Sequence, residues 1–484
     1  MRVALLVLAV LLCGSASRAQ APVAMSDIFS ANGVLSATLT AAEGKIHVGA
    51  LERDGATYNG DYVGPVLHLH PGDLMRIRLI NHLSQPTNLH FHGIRTSPLG
   101  NGDNAHLVVQ PGQAFDYEVR ISPAQPEGLF WYHAHVHGIS EHQIMGGLSG
   151  TIVVEPSTRL PIAQRLFVLK DMVFDDDSGN REIDDVLHGI VQSVNGQPTV
   201  NEAMRSGETQ LWRFSNQSAN RALHIALDAH RFRIVAEDGA STIAERSTDV
   251  LDIQPAARVD VLVDAGAAGH YALRAKGVMT GTGAALLPDR IIGALDVAGD
   301  PQPPSAALPS TPPPPDLRTA RIDAKREIVF SQTVESKQAP QRFFINGKVF
   351  DAARIDTRVP LGTIEEWTIR NDSDDLHVFH IHQIGFQVVE IDGKPVPFTG
   401  YIDTVRVPER GQVKLRMAFT DPRILGRFVY HCHVLKHEDA GMMANIEVFD
   451  PAPSALSTRL NRLYQHVWWW WHGVPWSLCG LADA

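Results

Sequence analysis

Tyr430-His431-Cys432-His433-Val434-Leu435-Lys436-His437-Glu438-Asp439-Ala440-Gly441-Met442 lies near the end of the 484-residue chain, and the other histidines are read around it. If residues 431 to 433 are extended, their side chains alternate between two faces. His431 and His433 then point one way and Cys432 the other, so one backbone serves two sites set back to back. On the Cys432 side, His437 and Met442 lie within a short loop. A thiolate, two imidazoles and a weak axial thioether form the ligand set of an electron-transfer copper site.

The second imidazole has to come from elsewhere. Asp375-Leu376-His377-Val378-Phe379-His380-Ile381-His382 offers it in His377, and adds His380 and His382 as a second His-x-His pair. Two further pairs lie upstream, in Asn88-Leu89-His90-Phe91-His92-Gly93 and in Phe130-Trp131-Tyr132-His133-Ala134-His135. A lone His-x-His on a strand is commonly a surface pair. Four of them, one straddling a cysteine, point to metal.

These four motifs resemble those of the multicopper oxidases, the family of laccases, cuprous oxidases and bilirubin oxidases. The likeness runs from about Gly33 to Asp450, with the motifs in the family's order. It implies four copper ions: a type 1 copper at His377, Cys432, His437 and Met442, a type 2 copper at His90 and His380, and a type 3 pair. His92, His133, His135, His382, His431 and His433 would hold the pair. It also implies dioxygen as acceptor and a small reducing substrate, phenolic or a metal ion. Two carboxylates sit where the family places its proton relay: Asp103, in Gly100-Asn101-Gly102-Asp103, and Glu438, directly after His437. Their plain readings are a turn residue and a surface carboxylate.

The remaining sequence divides around this core. Met1-Arg2, an apolar run from Val3 to Leu12 and Ser17-Arg18-Ala19 read as a secretory leader over residues 1–19, with an apolar run too short to span a membrane. Three cysteines are few. Cys13 should leave with the leader and Cys432 should bind metal, which leaves Cys479 without a partner for a disulfide. Secretion without disulfides fits a bacterial periplasm. A net charge of -11 argues against nucleic acid, and the chain is expected to act as a monomer.

One pattern occurs three times. Pro71 to Asn81 precedes His90, Ser206 to Asn216 precedes His224, and Leu361 to Asn371 precedes His380. Each is a Gly turn, an alternating apolar strand and a terminal Asn. Matching strands follow at 113–121, 257–263 and 412–419, then Gly-led strands at Gly128, Gly269 and Gly426. Short alternating strands between turn residues predict β-sandwiches. The expected fold is all-β, with three cupredoxin-like Greek-key domains at 27–157, 158–300 and 320–450. A proline-rich linker (301–319) precedes the third, and a Trp-rich tail (451–484), carrying Trp468 to Trp471, follows it. The second domain should carry no copper ligands, because Ile225-Ala226 follows His224, and should act as a spacer and cleft wall.

Four histidines are expected to be decoys for metal binding: His68, His70, His137 and His142. Trp131 and Tyr132 are expected to be core residues. The shortage of methionine after residue 280, where only Met417, Met442 and Met443 occur, favours organic donors over Cu(I) or Fe(II). A copper-free scaffold of the same fold is the rival from another class.

Overall fold

The three repeated segments fold as strands Leu74–Asn81, Thr209–Asn216 and Thr363–Asn371. The glycines before them, Gly72, Gly207 and Gly362, all have positive φ, which lets the chain turn tightly into each strand. The asparagine at each strand end is buried and repeats one set of bonds. Its side-chain oxygen accepts from the N–H two residues on (Leu83, Ser218, Ser373; 2.9, 3.0 and 2.9 Å). Its amide donates to two carbonyls, those of Gln85 and Val109, of Arg221 and Ile253, and of Asp375 and Pro408. A side chain that serves donors and acceptors at once closes the strand without orphaned backbone groups.

The computed structural model describes residues 25–173, 190–277, 288–303, 308, 313–333 and 341–452. Its strands form six sheets, two in each of three successive units. In every unit the repeated strand runs parallel to the unit's long early strand and antiparallel to the matching later one. Alternating burial, as in Gln412–Phe419, puts apolar residues between the two sheets. Each unit has its own apolar core. The fold is all-β and cupredoxin-like. Among the described residues no helix is long and apolar enough to cross a membrane. The leader, the tail beyond residue 452 and residues 304–307 and 309–312 of the proline-rich linker lie outside the described residues.

Three features lock the units together around the site. Trp131, Ile144, Ala219, Ala256 and Leu435 form one buried cluster with members from all three units. The carboxylate of Asp439 accepts from the N–H groups of Gly138, Ser140 and Glu141 at 2.9, 3.1 and 2.8 Å, so the third unit caps a helix of the first, Ser140–Gly146. The middle unit holds the other short helix, Leu435–Asp439, through Leu435 N–H to Ala219 O (3.1 Å) and Lys436 N–H to Asn220 Oδ1 (3.0 Å).

Candidate metal centre

Neighbouring antiparallel strands present the histidines in register. His90 on His90–His92 faces His133 on Gly128–His133. His380 on His377–Ile381 faces His431 on Gly426–Cys432. The strand ends at Cys432, one residue short of His433, which still points to the same side as His431. All eight paired imidazoles, from units one and three, meet in one place and are 1% exposed or less.

They divide into close sets whose ligand atoms lie within 4.8 Å of one another. One set is His92, His133 and His433. A second is His135, His382 and His431. The third is His90, His92 and His380. His90 stacks on His382 at 3.7 Å and His92 on His380 at 3.9 Å, so the pairs from the two units interleave.

The ring nitrogens test whether a metal fits. His90 Nδ1 lies 3.0 Å from Asp103 Oδ1, His133 Nδ1 2.9 Å from Ala134 O, and His380 Nδ1 2.7 Å from Asp403 O. In each ring the other nitrogen, Nε2, is buried and has no partner. The same holds for His92 Nδ1, His382 Nδ1 and both nitrogens of His433. Buried polar atoms are ordinarily satisfied. An imidazole held at one nitrogen with the other left open is the arrangement of a metal ligand and its outer support. Burial holds the imidazoles of His90, His92, His133, His382 and His433 well below their ordinary pKa, and those of His380 and His135 at about 3 and about 4, so these seven are neutral and able to ligate.

On the opposite face of the same strand, Cys432 Sγ lies 3.6 Å from His377 Nδ1 and 3.7 Å from His437 Nδ1, and these two nitrogens are 3.0 Å apart. Val378 N–H donates to Sγ at 3.4 Å. Ser373 Oγ lies 2.9 Å from His377 Nε2, and the Phe343 ring stacks on His437 at 4.1 Å. Burial pushes the metal-free Cys432 thiol up to about 12, and a bound cation would reverse that. Met442 is fully buried in the same apolar cluster as Cys432, and its carbonyl accepts Cys432 N–H at 3.1 Å. The donor sets fit copper on both faces.

Two buried carboxylates flank the histidines in contrasting ways. Asp103 faces His90 and accepts from Phe91 N–H and Gln383 Nε2, each at 3.1 Å. Burial raises its pKa well above the usual carboxylate range. Glu438 has Oε2 2.9 Å from His431 Nδ1 and Oε1 3.6 Å from His135 Nε2. Burial would raise it too, but His431 and His135 outweigh that and hold it well below the usual range. Helical geometry separates consecutive residues by about 100°, which sends His437 to the cysteine side and Glu438 to the histidine side.

His68 and His70 lie apart from these sets: His68 bridges Glu155 and Asp27, and His70 sits beside Asp73. His137 is exposed and packs edge-on against Phe350. Trp131 and Tyr132 are fully buried. A cavity of about 650 Å³ between units one and three, lined by His106, His137, Phe350 and Met443 among others, reaches His135. Sequence reasoning missed Asp403, Arg258, Asp238, Ser373 and Gln383. None has a ligand spacing, and all but Ser373, four residues before His377, reach the site through contacts distant in sequence.

Multicopper oxidase family models match residues 40–159, 168–293 and 321–452, which together take in most of the chain. The chain is 27% identical over 439 residues to a multicopper oxidase, mco, of Staphylococcus haemolyticus, covering 86% of this chain and 89% of that protein. It is 25% identical over 424 residues to the cell division protein FtsP of Pectobacterium atrosepticum, covering 81% and 84%. Among solved structures, a multicopper oxidase of Campylobacter jejuni described as a metallo-oxidase superposes with a TM-score of 0.77 at 25% identity, covering 88% and 94%. A laccase-like multicopper oxidase, CueO, of Ochrobactrum sp. superposes at 0.74 with 25% identity, covering 88% and 99%. The chain belongs to the multicopper oxidase family, whose members are copper-dependent oxidoreductases that use dioxygen and a reducing substrate.

Proposed function

We propose that this chain is a laccase-like oxidase that takes single electrons from phenols, aromatic amines or similar donors and reduces dioxygen to water. One observation carries the reading. Cys432 points to His377 and His437, while its neighbours His431 and His433 point into the eight-histidine cluster. The two sites thus share a covalent backbone a few bonds long. In this reading His377, Cys432, His437 and Met442 hold a type 1 copper. His90 and His380 hold a type 2 copper, and the two buried triads hold a type 3 pair, four ions in all. Copper bound there would supply one-electron exchange on the cysteine face and four-electron reduction of dioxygen on the histidine face.

The chain's own residues do the rest. Cys432 and its two peptide bonds link the faces. His437, half-buried on a surface helix, is the edge closest to a donor. Asp103, whose protonated form burial favours, supplies a proton beside His90 and Gln383. Glu438, kept ionised by His431 and His135, accepts and passes protons on the opposite side. The cavity reaching His135 admits dioxygen and releases water. The leader read over residues 1–19 and the lack of a cysteine pair in the mature sequence support export to the periplasm, and in this reading the protein acts there as a monomer.

The second reading is a metallo-oxidase for Cu(I) or Fe(II), favoured by the likeness to the Campylobacter protein. Against it, all three methionines after residue 280 are buried, 0% exposed for Met417 and Met442 and 3% for Met443, so none offers a thioether to a metal ion in solution. A copper-free role would leave the open buried nitrogens unexplained. Initial rates of oxygen uptake by the copper-loaded protein with a phenol, with Cu(I) and with Fe(II) test the reading. Turnover with the metal ions alone would reject it in favour of the second.

A further inference from the structure

Asp403 is the residue at which all three units meet. Its Oδ1 lies 3.0 Å from His92 Nε2 of the first unit. Arg258 of the middle unit donates to it through both Nη1 and Nη2, at 2.8 and 2.7 Å. Thr404 Oγ1 donates to Oδ1 at 3.0 Å. The Asp403 carbonyl lies 2.7 Å from His380 Nδ1. Asp238, also of the middle unit, accepts from the N–H groups of Asp403, Thr404 and Arg258, each at 3.0 Å. Arg258 is 1% exposed, Asp403 4% and Asp238 7%.

A neutral imidazole carries one N–H. A carboxylate at Nε2 keeps the proton there and leaves the lone pair on Nδ1, and His92 Nδ1 is the ring's open nitrogen. His90, two residues earlier, is held at Nδ1 and open at Nε2. The two histidines of one motif thus offer opposite nitrogens because different carboxylates grip them. A buried Asp403 needs a countercharge, and the two-pronged guanidinium of Arg258 supplies it with fixed geometry. Gly93 makes room for this: a Cβ there would sit 2.6 Å from Arg258 Nη2 and 2.7 Å from Asp403 Oδ2.

We propose that Asp403, clamped by Arg258 and Asp238, is a positioning residue that selects the ring nitrogen His92 offers to metal. Through it the middle unit, which supplies no ligand, governs metal occupancy of the histidine cluster. The inference rests on the copper reading above.

The test compares wild type, Asp403→Asn, Arg258→Met, Arg258→Lys and the Asp403→Asn/Arg258→Met pair. Arg326→Met, which breaks an ion pair with buried Glu365 away from the histidines, serves as a stability control. Copper per chain is counted after dialysis against graded chelator, beside the red thiolate band, the paramagnetic resonance signal and the metal-free melting temperature. Histidine tautomers are read by long-range nitrogen-15 NMR on the metal-free protein. Asp403→Asn and Arg258→Met should weaken cluster copper about 10–100-fold, with the red band kept. The double variant should lose no more than either single change, since both act through His92. Arg258→Lys keeps the charge without the fork and should recover part of the loss. His92 should be protonated at Nε2 in wild type and mixed in Asp403→Asn. Wild-type copper affinity and tautomer in Asp403→Asn would overturn the inference alone, as would an equal loss in Arg326→Met. Wild-type protein that loads only the cysteine site would overturn the copper reading, and this inference with it.

Discussion

His431 and Cys432 are consecutive residues whose side chains leave one strand on opposite faces. His431 Nε2 lies 3.3 Å from His135 Nε2 of the first unit, while Cys432 Sγ lies 3.6 Å from His377 Nδ1 of the third. A single backbone therefore separates two donor sets, and a change to one side chain should leave the other set standing.

Cys432→Ser tests that separation. The strand and its alternation survive, so the eight histidines should still load. The red thiolate–copper absorption should disappear, copper should fall from four per chain to three, and oxygen uptake with a phenol should drop to background. Elemental analysis beside oxygen electrode traces reads the outcome. Substantial uptake in the serine variant would mean that electrons reach the cluster by another path.

The two carboxylates should differ in their pH profiles. Burial raises the pKa of Asp103, so it keeps its proton to higher pH than an ordinary carboxylate and loses it as pH rises through the raised value. Wild-type turnover should therefore fall along an alkaline limb. Asp103→Asn should keep its copper, lack that limb, and turn over about 10²–10⁴-fold more slowly. Glu438 is held ionised, so Glu438→Gln should slow turnover at every pH without reshaping the profile. An alkaline limb that persists in Asp103→Asn would assign it to another group.

His68 should contribute stability with the opposite pH sense to an ionised carboxylate. Burial would lower its pKa, but Glu155 and Asp27, 2.8 and 3.0 Å away, outweigh that and raise it. Its contribution is complete below about 6.5 and is lost as pH rises through the raised folded value. His68→Gln should thus lower stability by on the order of 1 kcal/mol in mild acid and by much less in alkali. Urea melts at two pH values read this, and equal losses at both would refute it.

Gly239 should prove intolerant of a side chain for two separable reasons. Its φ is +80°, and a Cβ would lie 2.2 Å from Phe130 Cζ of the first unit. Gly60, at φ +90°, has nothing within 4 Å of its Cβ position. Gly60→Ala should therefore cost only the left-handed penalty, about 1–2 kcal/mol. Gly239→Ala should add overpacking of about 1–3 kcal/mol. Denaturant melts of the two variants give the difference, and equal costs would show that Phe130 can move aside.

Much was legible from spacing alone. A strand alternates every residue, so His-x-His means one face and the intervening Cys432 means the other. The three repeats marked the strands because a Gly turn, an alternating apolar run and a closing Asn each answer a local backbone need. Those rules act within about ten residues, and there the sequence is sufficient. The tertiary structure decided which imidazoles share a triad, which nitrogen each one leaves open, and that Asp403, Arg258 and Asp238 brace a site to which the middle unit gives no ligand. Asp403 lies 311 residues from His92 and 145 from Arg258 along the chain. No periodicity or motif connects such positions. They meet because three separately formed sandwiches bury their facing surfaces together, and a charge enclosed there must find its partner across the interface.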